Sequence, residues 1–246
     1  MRYLSIFSLI IFISCKSEEA TLTAQQIIDK TIVFSGADKV VNSEITFKFR
    51  DTEFIAVRKN GNYRLGKTYF KDTVAIDEVL SNHGYERFEN TKRVQVPDSV
   101  ISRYGNSINS VHYFSVLPFG LNDRAVQKKL LEPSTINGKK YYKIEISFSE
   151  NGGGEDFEDI FIYWIGKEDF LIDYLAYSFH TNGGGIRFRV LKEQCVKNGI
   201  RFVDYYNYKP INREISLLDT DKAYENNQLK KVSEIVLKDI EVKLLN

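Results

Sequence analysis

Carboxylates and glycines share one short stretch of this 246-residue chain: Glu150, Glu155, Asp156, Glu158 and Asp159 surround Gly152-Gly153-Gly154. Oxygen ligands on a flexible glycine loop are what Ca²⁺ takes, which makes Glu155, Asp156, Glu158 and Asp159 the candidate metal ligands. The Gly183-Gly184-Gly185 loop would lie near them if the intervening strands pair in sequence. Neither EF-hand spacing nor the nonapeptide of calcium-binding β-helices is present, and a solvated, charged hairpin loop accounts for the same residues. Asp156 and Glu158 would share a strand face about 7 Å apart by strand rise, a separation compatible with glycosidase work. With no evident groove, the pair reads first as a wet edge. His83, His112 and His180 are the only histidines, none at metal-ligand spacing from another or from Cys195. There is no Gly-x-Ser-x-Gly elbow, Ser, His and Asp are dispersed, and the glycine triplets lack the strand-to-helix context of a phosphate loop. No catalytic set and no cofactor is expected.

Aromatic residues are the other candidates to hold a ligand. They make up 13% of the chain, with Tyr163, Trp164, Tyr174, Tyr177, Tyr205, Tyr206 and Tyr208 towards its end. A broad apolar body with a polar tip suits a pocket for lipid or sugar, and Tyr142, Phe148, Trp164, Tyr174, Phe188 and Tyr206 are the candidate ligand-binding residues. The same side chains serve equally in an ordinary core, which is the first expectation. Trp164 follows Tyr163, so the two should face opposite sides of a sheet and cannot both line one cavity.

The elements that would position these residues begin after a targeting segment. Tyr3 to Ser14 is an apolar run of twelve residues preceded by Arg2, within the length of a signal core and short of the ~20 residues of a spanning helix. Phe12-Ile13-Ser14-Cys15 resembles a lipobox, with Phe12 where Leu is usual. That resemblance implies cleavage after residue 14 and diacylation of the Cys15 sulfur, and two or more acyl chains give a stable membrane anchor. Lys16-Ser17-Glu18-Glu19 resembles the Lys-plus-acidic tag that carries Bacteroidota lipoproteins to the cell surface, and reads equally as a solvated linker. Residues 15–21 are then a tether and 22–246 a single domain, since no linker rich in Pro, Gly or Ser follows residue 22.

Cleavage removes one cation, Arg2, and brings Lys+Arg from 34 to 33 against 33 Asp+Glu. No basic excess remains to hold nucleic acid or an anionic surface by charge alone. With Cys15 committed to lipid, Cys195 is left alone and no intrachain disulfide can form. It sits among alternating residues and reads as a small buried hydrophobe.

Asn-Gly pairs punctuate the chain: Asn60-Gly61, Asn137-Gly138, Asn151-Gly152, Asn182-Gly183 and Asn198-Gly199. Both residues tolerate positive φ, which a type I′ hairpin turn demands at its two central positions. Between these turns the period is two: Ile45, Phe47 and Phe49, then Tyr142, Ile144, Ile146 and Phe148, then Ile186, Phe188 and Val190, and finally Ile240, Val242 and Leu244. One apolar and one wet face, strand after strand, predicts a curled antiparallel sheet of about ten strands. Thr23 is the predicted N-cap of a helix from Ala24 to about Ser35, stopped by Gly36. A second helix is predicted after Pro97, with Asp98 as its cap and Ile101, Tyr104, Ile108 and Val111 on one stripe. The class is mainly β (α+β), with one or two helices over the concave face.

Those elements, with the motifs Phe119-Gly120-Leu121-Asn122-Asp123, Gly152 to Asp159 and Ile200-Arg201-Phe202-Val203-Asp204-Tyr205, resemble an uncharacterised Bacteroidota lipoprotein family. That family is a domain of unknown function placed with the LolA and LolB lipoprotein carriers, whose fold is an incomplete β-barrel. The resemblance covers about residues 22 to 244. It implies a concave apolar face closed by helices, a design that accepts acyl chains in the carriers. The expected function is therefore non-catalytic binding of a lipid or other hydrophobic ligand by an outer-membrane lipoprotein, on the periplasmic side or at the cell surface. The competing expectations are an envelope interaction protein with a filled core and, behind it, a surface hydrolase. Nucleic acid is not an expected partner.

Overall fold

Thr23 starts the first helix by a reciprocal cap: its Oγ1 accepts from the Gln26 N–H at 3.2 Å, while the Thr23 N–H donates to Gln26 Oε1 at 2.9 Å. This helix, α1 (Ala24–Ser35), ends at Gly36, whose φ of 70° is left-handed and whose N–H reaches the Ile32 and Val33 carbonyls. Start and stop are those predicted. The computed structural model describes residues 22–151, 158–180 and 183–246; Cys15, Lys16, Glu18, Glu19, Glu155 and Asp156 lie outside them.

A turn of 3-10 helix, Ala37–Asn42, leads into six strands: β1 (Ser43–Phe49), β2 (Thr52–Lys59), β3 (Asn62–Lys71), β4 (Val74–Ser81), β5 (Gly84–Glu89) and β6 (Lys92–Val94). Helix α2 (Asp98–Ser115) follows, then β7 (Val126–Ile136), β8 (Lys139–Phe148), β9 (Phe161–Gly166), β10 (Ile172–Phe179), β11 (Gly185–Lys197) and β12 (Ile200–Pro210). A short helix α3 (Thr220–Glu225) precedes β13 (Leu229–Ile235) and β14 (Leu237–Leu244). The hairpin steps Asn60-Gly61, Asn137-Gly138 and Asn198-Gly199 have positive φ at both residues, as a type I′ turn requires. The Asn151-Gly152 and Asn182-Gly183 steps each include a residue outside the described set.

All pairing is antiparallel, in two seven-stranded sheets ordered β14-β1-β2-β3-β4-β5-β6 and β13-β12-β11-β10-β9-β8-β7. Only Val236 separates β13 from β14, so one run of chain edges both sheets. Asp204 of β12 secures the joint by accepting the Leu237 N–H at 2.9 Å. The far edges, β6 and β7, do not pair with each other, and the strip stays open rather than closing into a barrel. Among the described residues fourteen strands form where about ten were expected. The additional ones include Gly84–Glu89, Lys92–Val94 and Leu229–Ile235, which are short or charged because strands at or near an edge are protected by charge rather than by apolar alternation.

Two local expectations are corrected. Pro97, not Asp98, occupies the N-cap of α2 and makes no side-chain bond there; Asp98 lies in the first turn, where its carboxylate still favours the helix dipole. Of the predicted stripe Ile108 is fully buried, with Gly105 and His112 buried beside it, while Ile101, Tyr104 and Val111 are half-buried. The alternation of one dry and one wet face also fails in the second sheet, where all six residues of β9 are buried. One face, with Ile144, Tyr163 and Leu175, packs under Ile27 and Ile28 of α1. The other, with Trp164, Tyr174 and Phe188, is covered by Leu217 and Tyr224 of the segment that carries α3. Tyr163 and Trp164 thus point to opposite sides, as expected.

Candidate functional site

Strand β2 sends Phe54, Ala56 and Arg58 to the side on which α2 lies, because alternate residues share a face. Leu65 of β3 lies beside them, and α2 with the chain after it brings Tyr113, Val116, Phe119 and Asp123 over the top. These elements border an open cavity of about 360 Å³, at the small end of the range for ligand sites. Its floor is dry: Val116 is 2%, Leu65 4% and Arg58 8% exposed, whereas Tyr63 and Val41 at the rim are 38% and 45% exposed. The Phe119-Gly120-Leu121-Asn122-Asp123 motif supplies one wall.

Burial shifts Arg58, His112, Tyr113 and Asp123 around this cavity towards their uncharged forms. His112 Nε2 is 3.0 Å from the Gly66 carbonyl, which assigns the proton to that nitrogen as donor. Burial, with the Arg58 charge adding, pulls His112 down to about 4, so the ring is uncharged at neutral pH. Burial pushes the Tyr113 phenol up to about 12 and raises the Asp123 carboxyl. Arg58 is drawn down to about 10 by burial, and its guanidinium lies 5.3 Å from the centre of the Phe119 ring.

A second cavity, about 370 Å³, lies over β3 and β4 between Ile55, Thr68, Asp77 and Phe88. Its charged groups answer one another: the buried Glu78 is met by Lys67 at 2.7 Å and Arg87 at 3.3 Å, and Thr68 donates to Asp77 at 2.7 Å.

The six aromatic candidates are divided between the two faces of the second sheet, and none lines either cavity. Tyr142 and Phe148 are half-buried on the α1 side, against Phe170 at 5.9 Å and Phe161 at 5.8 Å. On the other face Trp164 donates its Nε1–H to Asp221 at 3.2 Å and meets Phe188 edge-on at 5.4 Å. Tyr174 stacks on Phe188 at 5.7 Å, and Tyr206 carries Lys231 over its ring at 4.2 Å. Of the acidic candidates Glu158 is exposed, and Asp159 stands 3.5 Å from His180. Among the described residues no three His, Cys, Asp or Glu side chains gather into a metal site. Cys195 is a free thiol, half-buried rather than buried because its strand runs to the turn at Asn198-Gly199, and burial raises its pKa.

Arg58 was missed in the sequence. The signal was there: a cation at an apolar position of the Phe54, Ala56, Arg58 alternation.

Several solved structures resemble this one. A LolA superfamily protein from Nitrosomonas europaea shares 12% identity and a TM-score of 0.48 over 92% of this chain and 94% of its own; it belongs to the superfamily that the sequence motifs resemble. A DUF1329 family protein from Desulfovibrio piger shares 10% identity over 90% of this chain and 93% of its own, TM-score 0.43. The Mycobacterium tuberculosis lipoprotein LppX shares 12% over 65% of this chain and 90% of its own, TM-score 0.29. At these identities and scores the likenesses assign no ligand and no activity. No curated protein matches the chain. A family of unknown function (DUF6503) matches residues 2–236, nearly the whole length, and the chain belongs to that family.

Proposed function

We propose that this protein is a lipid-anchored envelope protein that binds a hydrophobic or amphipathic ligand without catalysis, between the first sheet and α2. One observation carries the reading: a cavity of about 360 Å³ with Leu65, Val116 and Phe119 in its wall sits where a sheet is covered by a helix. Binding there would be driven by burial, at about 25 cal/mol per Å² of apolar surface removed from water. The filled core of the second sheet is what an interaction protein would show throughout; the open cavity in the first half favours the binder. No described helix is long and apolar enough to cross a membrane, and the anchor in this reading is acylated Cys15 with the signal ending at residue 14.

Native mass spectrometry of the full chain, extracted from membranes in mild detergent, tests both parts. The expected spectrum shows the acylated N-terminus at Cys15 and an additional non-covalent adduct of lipid mass. A chain with no adduct, and none after lipids are added, would overturn the binding reading; an unmodified Cys15 would overturn the anchor.

A further inference from the structure

Arg58 differs from the other buried cations of the molecule. Lys143 has Asp221 at 3.2 Å and Arg201 has Asp173 at 3.6 Å, and the half-buried Lys67 has Glu78 at 2.7 Å. Arg189 also has no ion pair among the described residues, and its Nε, like Nη2 of Arg201, lacks a hydrogen-bond partner, but it donates to the Tyr177 hydroxyl at 3.2 Å and lies on the Phe114 ring. Arg58, more than nine-tenths buried, has no ion pair and no side-chain hydrogen bond among the described residues; its Nη1 is fully buried without a hydrogen-bond partner, and its guanidinium lies 5.3 Å from the centre of the Phe119 ring. Its neighbour His112 is a neutral donor already committed to Gly66, and Asp123, the carboxylate that lines the same cavity, forms no ion pair with it. A buried cation without a counter-charge is costly, and a strained polar group of this kind marks a place where function overrides stability.

Position narrows the partner. Arg58 sits at the dry floor with Leu65 and Val116, and the walls from there to the rim at Val41 and Tyr63 are largely apolar. A guanidinium presents a planar fork of donors that matches a carboxylate in two parallel hydrogen bonds. We propose that Arg58 is the anion-recognition residue of this cavity, and that the ligand is a single-chain fatty carboxylate bound head-first. Its carboxylate lies against Arg58, and its hydrocarbon chain runs past Phe119 and Tyr113 to the rim. The inference rests on the binding function proposed above and adds the head-group chemistry.

The test is calorimetric titration of the full chain in phosphatidylcholine nanodiscs, with protein-free discs as blank, using decanoate and the uncharged decanol. The wild type is expected to bind decanoate more tightly than decanol. Arg58→Gln should weaken decanoate by about tenfold or more, the scale of a lost charge-assisted pair, and leave decanol unchanged, while Arg58→Lys should lie between. Equal binding of both probes, with Arg58→Gln no weaker, would overturn the role of Arg58 and leave the cavity reading standing. Binding of neither would overturn both. A folding readout keeps the variants interpretable: without ligand, Arg58→Met should melt no lower than the wild type, since it removes an unmatched charge. A marked fall in its melting temperature, with decanoate affinity unchanged in Arg58→Lys and Arg58→Gln, would assign Arg58 to packing and overturn the proposal.

Discussion

His112 stands edge-on to Phe47 at 5.8 Å and Phe54 at 5.5 Å, a setting that admits a neutral ring and resists an imidazolium. Its folded pKa of about 4 lies below the ordinary 6.5, so as pH falls the unfolded chain takes the proton first. The contribution to stability is therefore complete above about pH 6.5 and lost as pH falls towards 4, roughly 3 kcal/mol at about 1.4 kcal/mol per unit. Urea denaturation at pH 7 and pH 4 should show that loss in the wild type and a smaller one in His112→Gln; an equal loss of unfolding free energy in the two proteins would refute the assignment. Asp221 is the other decisive residue, accepting from Lys143 at 3.2 Å on each oxygen and from Trp164 at 3.2 Å. Asp221→Asn strips the counter-charge from a buried lysine and is expected to cost about 3–5 kcal/mol, most of it regained in the double variant Lys143→Met/Asp221→Leu. Chemical denaturation of the three proteins decides, and a Asp221→Asn protein as stable as the wild type would show that the pair is not under stress.

At the scale of elements, the two hairpin and helix glycines that look alike in φ differ in what surrounds them. Gly36, at φ 70°, closes α1 against the β11–β12 turn so tightly that a Cβ would lie 1.7 Å from the Gly199 carbonyl oxygen. Gly138, at φ 80°, has open space where its Cβ would be. Gly138→Ala should therefore cost only the left-handed penalty, about 1–2 kcal/mol, and Gly36→Ala at least about 2 kcal/mol more, because backbone must move. Thermal melts of the two variants side by side check this; equal costs would mean that α1 can shift away from the turn without loss. The same contact explains why α1 was legible in the chain but its docking was not. Thr23 and Gly36 announce the helix ends through bonds within four residues, whereas the partner of Gly36 comes from the other end of the sequence.

At the scale of the molecule, the last strand is the seam. Leu237, Ile240 and Val242 of β14 pack with Ile45, Phe47 and Phe202, so residues from both sheets share one cluster there. The Asn198 side chain donates to the Val242 carbonyl at 2.6 Å across the same joint. A chain ending at Ile235 would leave β1 with an unpaired edge and that cluster uncovered, and it is expected to lose its cooperative melt and to aggregate. Recovery of a soluble truncated protein with the wild-type melting temperature would show that the sheets hold without the seam.

The sequence by itself determined the bounds of α1, the hairpin turns at Asn60-Gly61, Asn137-Gly138 and Asn198-Gly199 and the mainly antiparallel class. Each depends on forces that act within a few residues: a capping bond, the sign of φ, a period of two. Only the tertiary structure decided where those strands are wet. The α3 segment turned the second face of the second sheet into core and enclosed Trp164 and Phe188 there. The chain after α2 brought Phe119 over Arg58 and shaped the cavity around it. Burial is a property of what packs from far along the chain, and for that reason the alternation could show Arg58 as a cation at an apolar position while only the fold could show what surrounds it.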